Sequence, residues 1–487
     1  MPSLCTDQST PPKPSRWLHP CVGALLLLTS AFGCASVPAK GGLGSVQDMT
    51  RQRTGLHVDW IQGRAEDSVA QAYVQRALVG EVSVDSAIQV GLLRNKRLQA
   101  SFEDLGIAQA DLVQAGLLAN PVLSVGKAFA RGGGVGIQSV GVALPFIEIL
   151  QRPLRKRAAG FGFAAARARM QADVLSLAAD IRLAYIDAQA AGQRLELRRS
   201  VMRALDASAT AALAIHDAGN LSVLELAQER AQAADARLEV FRAEGEQRAT
   251  RAELERLMGV SGDGAWTLSP WLQTPTDTVA SVATLANTAR ARRLDLRAAQ
   301  SDAEAAAQRL GLARAFALLP DGTIGPTYER DPDGTFWGGV LSIPLPFLDR
   351  GQSRVAHNRA LLRQTAARHD ALAVEIGAEV RQLSATLASA RDRELYLRTV
   401  ILPLRRQVVV ESQKFVDAMA QSVFTLLLAK QAEIDAGAAY VDALRDYWMT
   451  RAKLERAVGG TFAPLSPQEQ MTDTASPDSA RRVPSPQ

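Results

Sequence analysis

The segment Arg251-Ala-Glu-Leu-Glu-Arg-Leu-Met-Gly259 returns as Arg451-Ala-Lys-Leu-Glu-Arg-Ala-Val-Gly459, 200 residues later. The same offset relates Asp217-Ala218 to Asp417-Ala418 and Ser222-Val223 to Ser422-Val423. Leu144-Pro145-Phe146 matches Leu345-Pro346-Phe347, and Asn120-Pro121 lines up with Leu319-Pro320, at spacings within one residue of that offset. Landmarks that recur in one order at one spacing mark an internal duplication. The chain reads as two copies of one unit of about 180 residues.

Each copy carries the same pattern. A helical stretch comes first, Asp85 to Leu118 or Val282 to Leu318, and a proline ends it, Pro121 or Pro320. Proline lacks the N–H that a helix needs and pushes its predecessor out of helical geometry. Two strand-like segments follow: 122–130 and 135–144 across Arg131-Gly-Gly-Gly134, then 323–330 and 335–345 across Asp331-Pro-Asp-Gly334. Both connections are turn chemistry. In the last strand Trp337, Leu341, Ile343 and Leu345 share one face, with Gly338 and Ser342 on the other. That alternation suits an apolar exterior and a polar lumen, and it is weaker in the other three strands.

Long helices come next, Pro153 to His216 and Gln352 to Asp417. At 1.5 Å per residue each spans roughly 95 Å. Leu177, Ile181, Ala184, Ala188, Ala191 and Leu195 form a heptad seam, as do Ile376, Val380, Leu383, Leu387 and Ala390. Turns at Gly219-Asn220 and Ala420-Gln421 lead into return helices, Val223 to Met258 and Val423 to Val458. Length matching pairs each long helix with two short ones end to end: 223–258 with 282–318, and 423–458 with 85–118.

Four strands cannot close a barrel, and open edges in lipid cost several kcal/mol per unsatisfied backbone group. Three protomers supply about twelve strands, a sensible barrel. The expected fold is therefore mainly α with a small β-barrel portion. A duplicated long-helix coiled-coil tube carries four strands per protomer and closes as a homotrimer.

The flanks complete the organisation. Residues 1–33 read as a signal peptide: Lys13 and Arg16 precede the apolar run Val22 to Leu28, too short to span a bilayer. Ala31-Phe32-Gly33-Cys34 resembles a lipobox, although Ala31 and the bulky Phe32 depart from it; ordinary cleavage after Gly33 or Ala35 is the alternative. Of Cys5, Cys21 and Cys34 only Cys34 would survive cleavage. A lone cysteine there suits an acyl acceptor better than a disulfide. Residues 34–84 form a lipid-anchored segment and belt. Residues 85–259 and 282–460 are the two repeats, 260–281 a belt linker, and 461–487 a Ser-, Pro- and Gln-rich tail expected to be disordered.

Helix, Asn-Pro, strand, turn, strand, Pro-Phe, long helix, tip and return helix, all duplicated, resembles the TolC-like outer-membrane efflux family. Ser342-Ile-Pro-Leu-Pro-Phe347 resembles its strand-to-helix exit, and Ala218-Gly-Asn-Leu-Ser-Val-Leu-Glu-Leu-Ala227 its helix tip. The resemblance implies a lipid-anchored outer-membrane protein with a periplasmic extension, docked to a periplasmic adaptor and an inner-membrane pump. It implies passive export of drugs, metal ions or other solutes. The family narrows its periplasmic mouth with carboxylates. Only Glu225 matches that acid here, since the second copy has Thr425 and Leu428. Asp217, Gly219, Glu225 and Asp417 are the tip or gate candidates.

Other chemistry has little support. The net charge is +5 with acids and bases interleaved, and no nucleic-acid signature is present. His216 and His357 lack ligand spacing, Gly132–Gly134 lacks a phosphate-loop context, and no catalytic constellation emerges. No cofactor, no metal and no enzyme activity are expected. Two readings compete with an efflux conduit: the outer-membrane channel of a protein-secretion system, and a periplasmic coiled-coil scaffold lipoprotein without a pore.

Overall fold

The computed structural model describes residues 36–38, 40–62, 68–129, 135–261, 266–275 and 280–460. The signal segment, Cys34, the first hairpin turn and residues 461–487 lie outside them. The chain divides into two units, Met1–Pro38 and Ala39–Gln487, and all the described helices and strands belong to the second.

The elements run α1 (Leu43–Thr54), α2 (Ser68–Ala77), β1 (Gly80–Val82), α3 (Val84–Arg94), α4 (Lys96–Gly116), β2 (Val122–Phe129), β3 (Val135–Ala143), α5 (Phe146–Asp217) and α6 (Val223–Met258). The second half continues with β4 (Trp266–Leu268), α7 (Val282–Arg292), α8 (Leu294–Ala315), β5 (Thr323–Asp331), β6 (Gly334–Ser342) and α9 (Gln352–Tyr396). A π-helical turn (Leu397–Ile401) then leads into α10 (Leu402–Asp417) and α11 (Val423–Val458). From β1 and from β4 onward the two halves follow one order, with α5 standing where α9, the π-turn and α10 stand, and the fold is mainly helical.

Four sequence expectations need correction. The first helical stretch of each copy is two helices, broken at Asn95 and Arg293, both in extended backbone. Asn95 ends α3 and caps α4, its side-chain oxygen accepting from the Arg97 and Leu98 amides; such caps satisfy N–H groups that have no helical partner. The end-to-end pairing is also different. Asn95 donates to the Leu257 carbonyl at 2.8 Å, and Arg293 reaches the Ala457 carbonyl. A β-carbon on Gly259 would stand 2.8 Å from the Arg94 oxygen. Each return helix therefore abuts the broken short helix of its own copy, not that of the other.

Third, α5 starts at Phe146 and takes Pro153 into its interior, making a helix of 72 residues. Pro153 lies two turns into the helix and gives up the hydrogen bond that an N–H there would make to the Ile149 carbonyl, while Arg155 donates to the carbonyl and carboxylate of Glu148 nearby. Fourth, the last strand stops at Ser342, because Pro344 and Pro346 cannot donate to a ladder. Ile343 and Leu345 lie past its end.

The heptad positions are where the core is. Ile181, Ala188, Ala191, Leu195, Ile376, Val380, Leu387 and Ala390 are all buried. Ion pairs stitch α5 to α11: Asp180–Arg456, Arg182–Glu455, Asp187–Arg445, Arg194–Asp442 and Arg198–Asp435. Copy one and copy two thus join along their long faces.

The flanking segments meet as a parallel pair, β1 with β4. Glutamines of α5 hold the second segment: Gln189 donates to Ser269 and Trp271, Gln193 to Pro270. Tyr185 donates to the Val82 carbonyl. The Arg251 guanidinium stacks 3.8 Å over Trp266 and donates to its carbonyl.

Asn95→Ala removes a cap and the tie to α6 together. The expected loss is about 1–2 kcal/mol, read as a lowered midpoint in helical circular dichroism during heating, while Arg97→Ala leaves the midpoint in place.

Candidate functional site: the sheet and the helical tips

Strands β2, β3, β5 and β6 form one antiparallel sheet in that order. The two hairpins of the duplication join through β3 and β5, where Val140 faces Tyr328 and Leu144 and Ile324 exchange both backbone hydrogen bonds.

Because directly opposed residues share a face, the register sorts the whole sheet. On one face stand Leu123, Val125, Val140, Val142, Ile324, Pro326, Tyr328, Trp337 and Leu341. Lys127, Gln138, Arg330 and Thr335 form a polar row on that face towards the hairpin turns. The other face carries Ser124, Gly126, Ser139, Gly141, Ala143, Thr323, Gly325, Thr327, Glu329, Gly338 and Ser342, interrupted by Val122, Ile137, Phe336 and Val340. The alternation is present in all four strands once they are in register. Val125 is 74% exposed and Trp337 77%, so the apolar face has no cover among the described residues. Tyr328 packs edge-on against Trp337, ring centroids 5.1 Å apart, next to the polar row. β2 and β6 each have a strand on one side only.

The join is narrow. A β-carbon built on Gly325 falls on the Val142 carbonyl. Only glycine fits, and nothing in the sequence pattern singled it out.

At the other end of the molecule, the tips differ. In copy one Gly219 takes φ +81, a conformation that suits glycine. The Gly219 amide donates to His216, the Asn220 amide to Ile215, and the His216 ring contacts the Leu221 carbonyl at 2.7 Å. Ser222 and Glu225 form a capping box: the Glu225 amide donates to the Ser222 hydroxyl, and the Glu225 carboxylate accepts from the Ser222 amide and hydroxyl. Those hydrogen bonds from Ser222 lower the Glu225 pKa. The carboxylate that matched the family's gate is engaged in starting α6.

In copy two Met419 occupies the left-handed position, φ +57, and its side chain is 95% exposed. A non-glycine residue there costs about 1–2 kcal/mol. Ser422 still caps, donated to by the Phe424 amide, but Thr425 supplies no return bond. Asp417 accepts from Gln413 at 2.7 Å, and Asp217 has no ion pair among the described residues. The pairs across α5 and α11 leave the two tips about one to two helical turns apart in height.

Two outcomes are expected here. Gly325→Ala breaks the β3–β5 join, so sheet-dependent heat resistance of the membrane-extracted protein is lost, while Gly338→Ala, whose β-carbon has ordinary clearance, keeps it. The depressed Glu225 pKa means the capping box contributes above the unfolded pKa and fails as pH falls through the lower folded value. Amide exchange in the first turn of α6 therefore accelerates on acidification below the usual carboxylate range. The matching turn of α11, which lacks the box, shows no such step.

Comparison with known proteins agrees with this architecture. No family model matches the chain. Nodulation protein T of Rhizobium leguminosarum bv. viciae is 25% identical over 430 residues, covering 81% of this chain and 86% of that protein. Among solved structures, a membrane protein from Pseudomonas aeruginosa aligns with TM-score 0.66 and 18% identity, over 80% of this chain and 92% of its own. The outer membrane protein VceC of Vibrio cholerae aligns at 0.63 and 19%, over 78% and 97%. The open-state MtrE outer membrane channel of Neisseria gonorrhoeae aligns at 0.64 and 16%, over 77% and 89%. The chain shares the fold of these solved outer-membrane proteins, the TolC-like outer-membrane channel fold.

Proposed function

We propose that the chain is one protomer of a homotrimeric outer-membrane export channel. It would be the passive conduit of a tripartite efflux system for small solutes such as drugs or metal ions. The observation that carries this reading is the sheet. It has one uncovered apolar face, one mostly small and polar face, and two free edges. An apolar face of that kind suits lipid, and free edges in lipid demand partners. Three copies supply twelve strands, the apolar face outward and Ser124, Ser139 and Thr327 inward. Tyr328 and Trp337 then sit where an aromatic girdle meets the headgroups.

The helices would continue the lumen as a periplasmic tube. The tips would meet a periplasmic adaptor, and through it an inner-membrane pump that supplies the energy and selects the cargo. The segments around β1 and β4 would form the belt, and Cys34 the lipid anchor. At the mouth Asp217 and Asp417 of three copies would contribute six carboxylates. The Glu225 carboxylates, kept ionised by their hydrogen bonds from Ser222, would add to that charge. A ring of like charge favours cations.

Reconstitution in planar bilayers tests the reading. Trimers in detergent and discrete cation-preferring conductance are expected. Asp217→Lys with Asp417→Lys should lower cation preference several-fold. Wild-type ion selectivity in that variant removes the mouth assignment; a monomer without conductance overturns the channel. A protein-secretion conduit would differ by supporting export of a folded or unfolded polypeptide, which complementation in a secretion-deficient strain reads directly.

A further inference from the structure

Strand β4 runs on into a strap, residues 269–275, that is tied to α5. Gln189 directs its side-chain N–H groups at the Ser269 and Trp271 carbonyls, and Gln193 donates to the Pro270 carbonyl. These bonds fix both amide groups and turn each Oε1 atom away from the strap carbonyls, as an acceptor that can take only a donor. Both glutamines are more than nine-tenths buried, at 8% and 9% exposure, and neither oxygen has a hydrogen-bond partner among the described residues. They line a groove of ≈ 570 Å³ shared by α5, α6, α11 and the strap.

Residue choice keeps the groove open. Gly192 of α5 and Gly437 of α11 line it, and a β-carbon on either would meet open space. Both lie in helix interiors without a positive φ, where glycine weakens a helix, so neither packing nor backbone geometry calls for them. Their effect is the space itself. The Trp271 indole, 74% exposed, stands beside it on a backbone that Gln189 holds. Gln247 of α6 adds another neutral amide. The charged side chains of the lining are already engaged, Glu196 with Arg199 and Arg251 with Glu255. The equivalent place in copy two has Ser389, Asp392 and Arg393, and Arg393 pairs with Asp446. Neither the glutamines nor the glycine of α5 therefore belongs to the repeat.

An exposed aromatic face beside a row of neutral amides is the chemistry that holds a sugar ring. The C–H groups of one pyranose face lie on the indole, and the ring hydroxyls donate to amide oxygens. A charged ligand would find no unengaged counter-charge there. The volume falls in the range of small-ligand sites. We infer that this groove binds a neutral saccharide, with Trp271 as the stacking platform and the Gln189 and Gln193 oxygens as acceptors for its hydroxyls. The site lies within one protomer, so it goes beyond the channel reading and does not rest on closure of a trimer.

Saturation-transfer NMR on the full chain in detergent tests it, with the N-acetylglucosamine oligomer chitotetraose as the soluble probe. Saturable binding is expected, weakened about tenfold or more in Trp271→Ala. Binding should be lost in Gly192→Leu, which fills the groove from a β-carbon that meets none of the chain's own atoms. Native mass and helical circular dichroism of both variants should match the wild type. Co-sedimentation with purified cell-wall sacculi separates the sources. Pelleting of the wild type but not of Gly192→Leu assigns a wall glycan; chitotetraose binding without pelleting assigns a free oligosaccharide. A wild-type protein that binds neither probe overturns the inference, and so do variants that bind as well as the wild type. If Gly192→Leu turns trimers into monomers, the groove seats a second copy of the chain and the inference falls. A conducting trimer that ignores both probes leaves the channel reading standing, and a sugar-binding monomer without conductance removes that reading alone.

Discussion

An antiparallel sheet of four strands leaves two rows of backbone N–H and C=O groups without partners, and everything else in this molecule is arranged around that deficit. In water an edge strand is tolerable, since solvent completes its hydrogen bonds; against hydrocarbon it is not. The apolar face formed by Leu123, Val125, Val140, Val142, Tyr328 and Trp337 suits hydrocarbon or a protein cover, and the described residues provide no such cover. The sheet can be stable in lipid only if its edges meet other edges. The join inside the chain shows what such a meeting requires: at β3–β5 the backbones approach so closely that Gly325 has no room for a side chain.

The duplication explains how one gene product can supply both halves of a joint. Two copies of one unit present their hairpins side by side, and the β3–β5 contact is the intramolecular form of a copy-one-to-copy-two pairing. The helices repeat the theme. α5 of copy one and α11 of copy two are held by a run of ion pairs from Asp180–Arg456 to Arg198–Asp435. Exposed pairs of this kind are individually weak. Their effect is on register: each fixes the height of one helix against the other, and a slipped alignment would set like charges together. Helices this long need that registration more than they need extra stability.

Much of this was legible in the sequence. The offset between Arg251–Gly259 and Arg451–Gly459 revealed the copies, and both return helices were readable to their ends because Ser222 and Ser422 cap one end and Gly259 and Gly459 close the other. What escaped depended on contacts between distant segments. Asn95 and Arg293 read as ordinary helical residues; they break the helix because the ends of α6 and α11 arrive there. Pro153 read as a start and is an interior residue. Strand alternation read as weak in three strands because each presents few residues to a face, and only cross-strand register sums them. At the tip, Glu225 matched a gate pattern by position, but capping-box spacing from Ser222 was the available signal for what its carboxylate does.

The differences between the copies concentrate at the two tips. Copy one has a glycine in the left-handed turn, a reciprocal cap and an unbroken α5 above it. Copy two has Met419 in that turn, a one-sided cap and a π-helical turn before α10. A π-turn inserts an extra residue into the helical ladder and is a recognised point of bending. The last buried carboxylate above it, Glu394, is held by Arg398 and Tyr440; below it α10 has no buried residue at all. Local chemistry thus makes one hairpin stiff and leaves the other less determined by its own chain. The second hairpin is then held by its cap at Ser422 and by side-chain contacts such as Arg406–Glu433, without a buried core on α10.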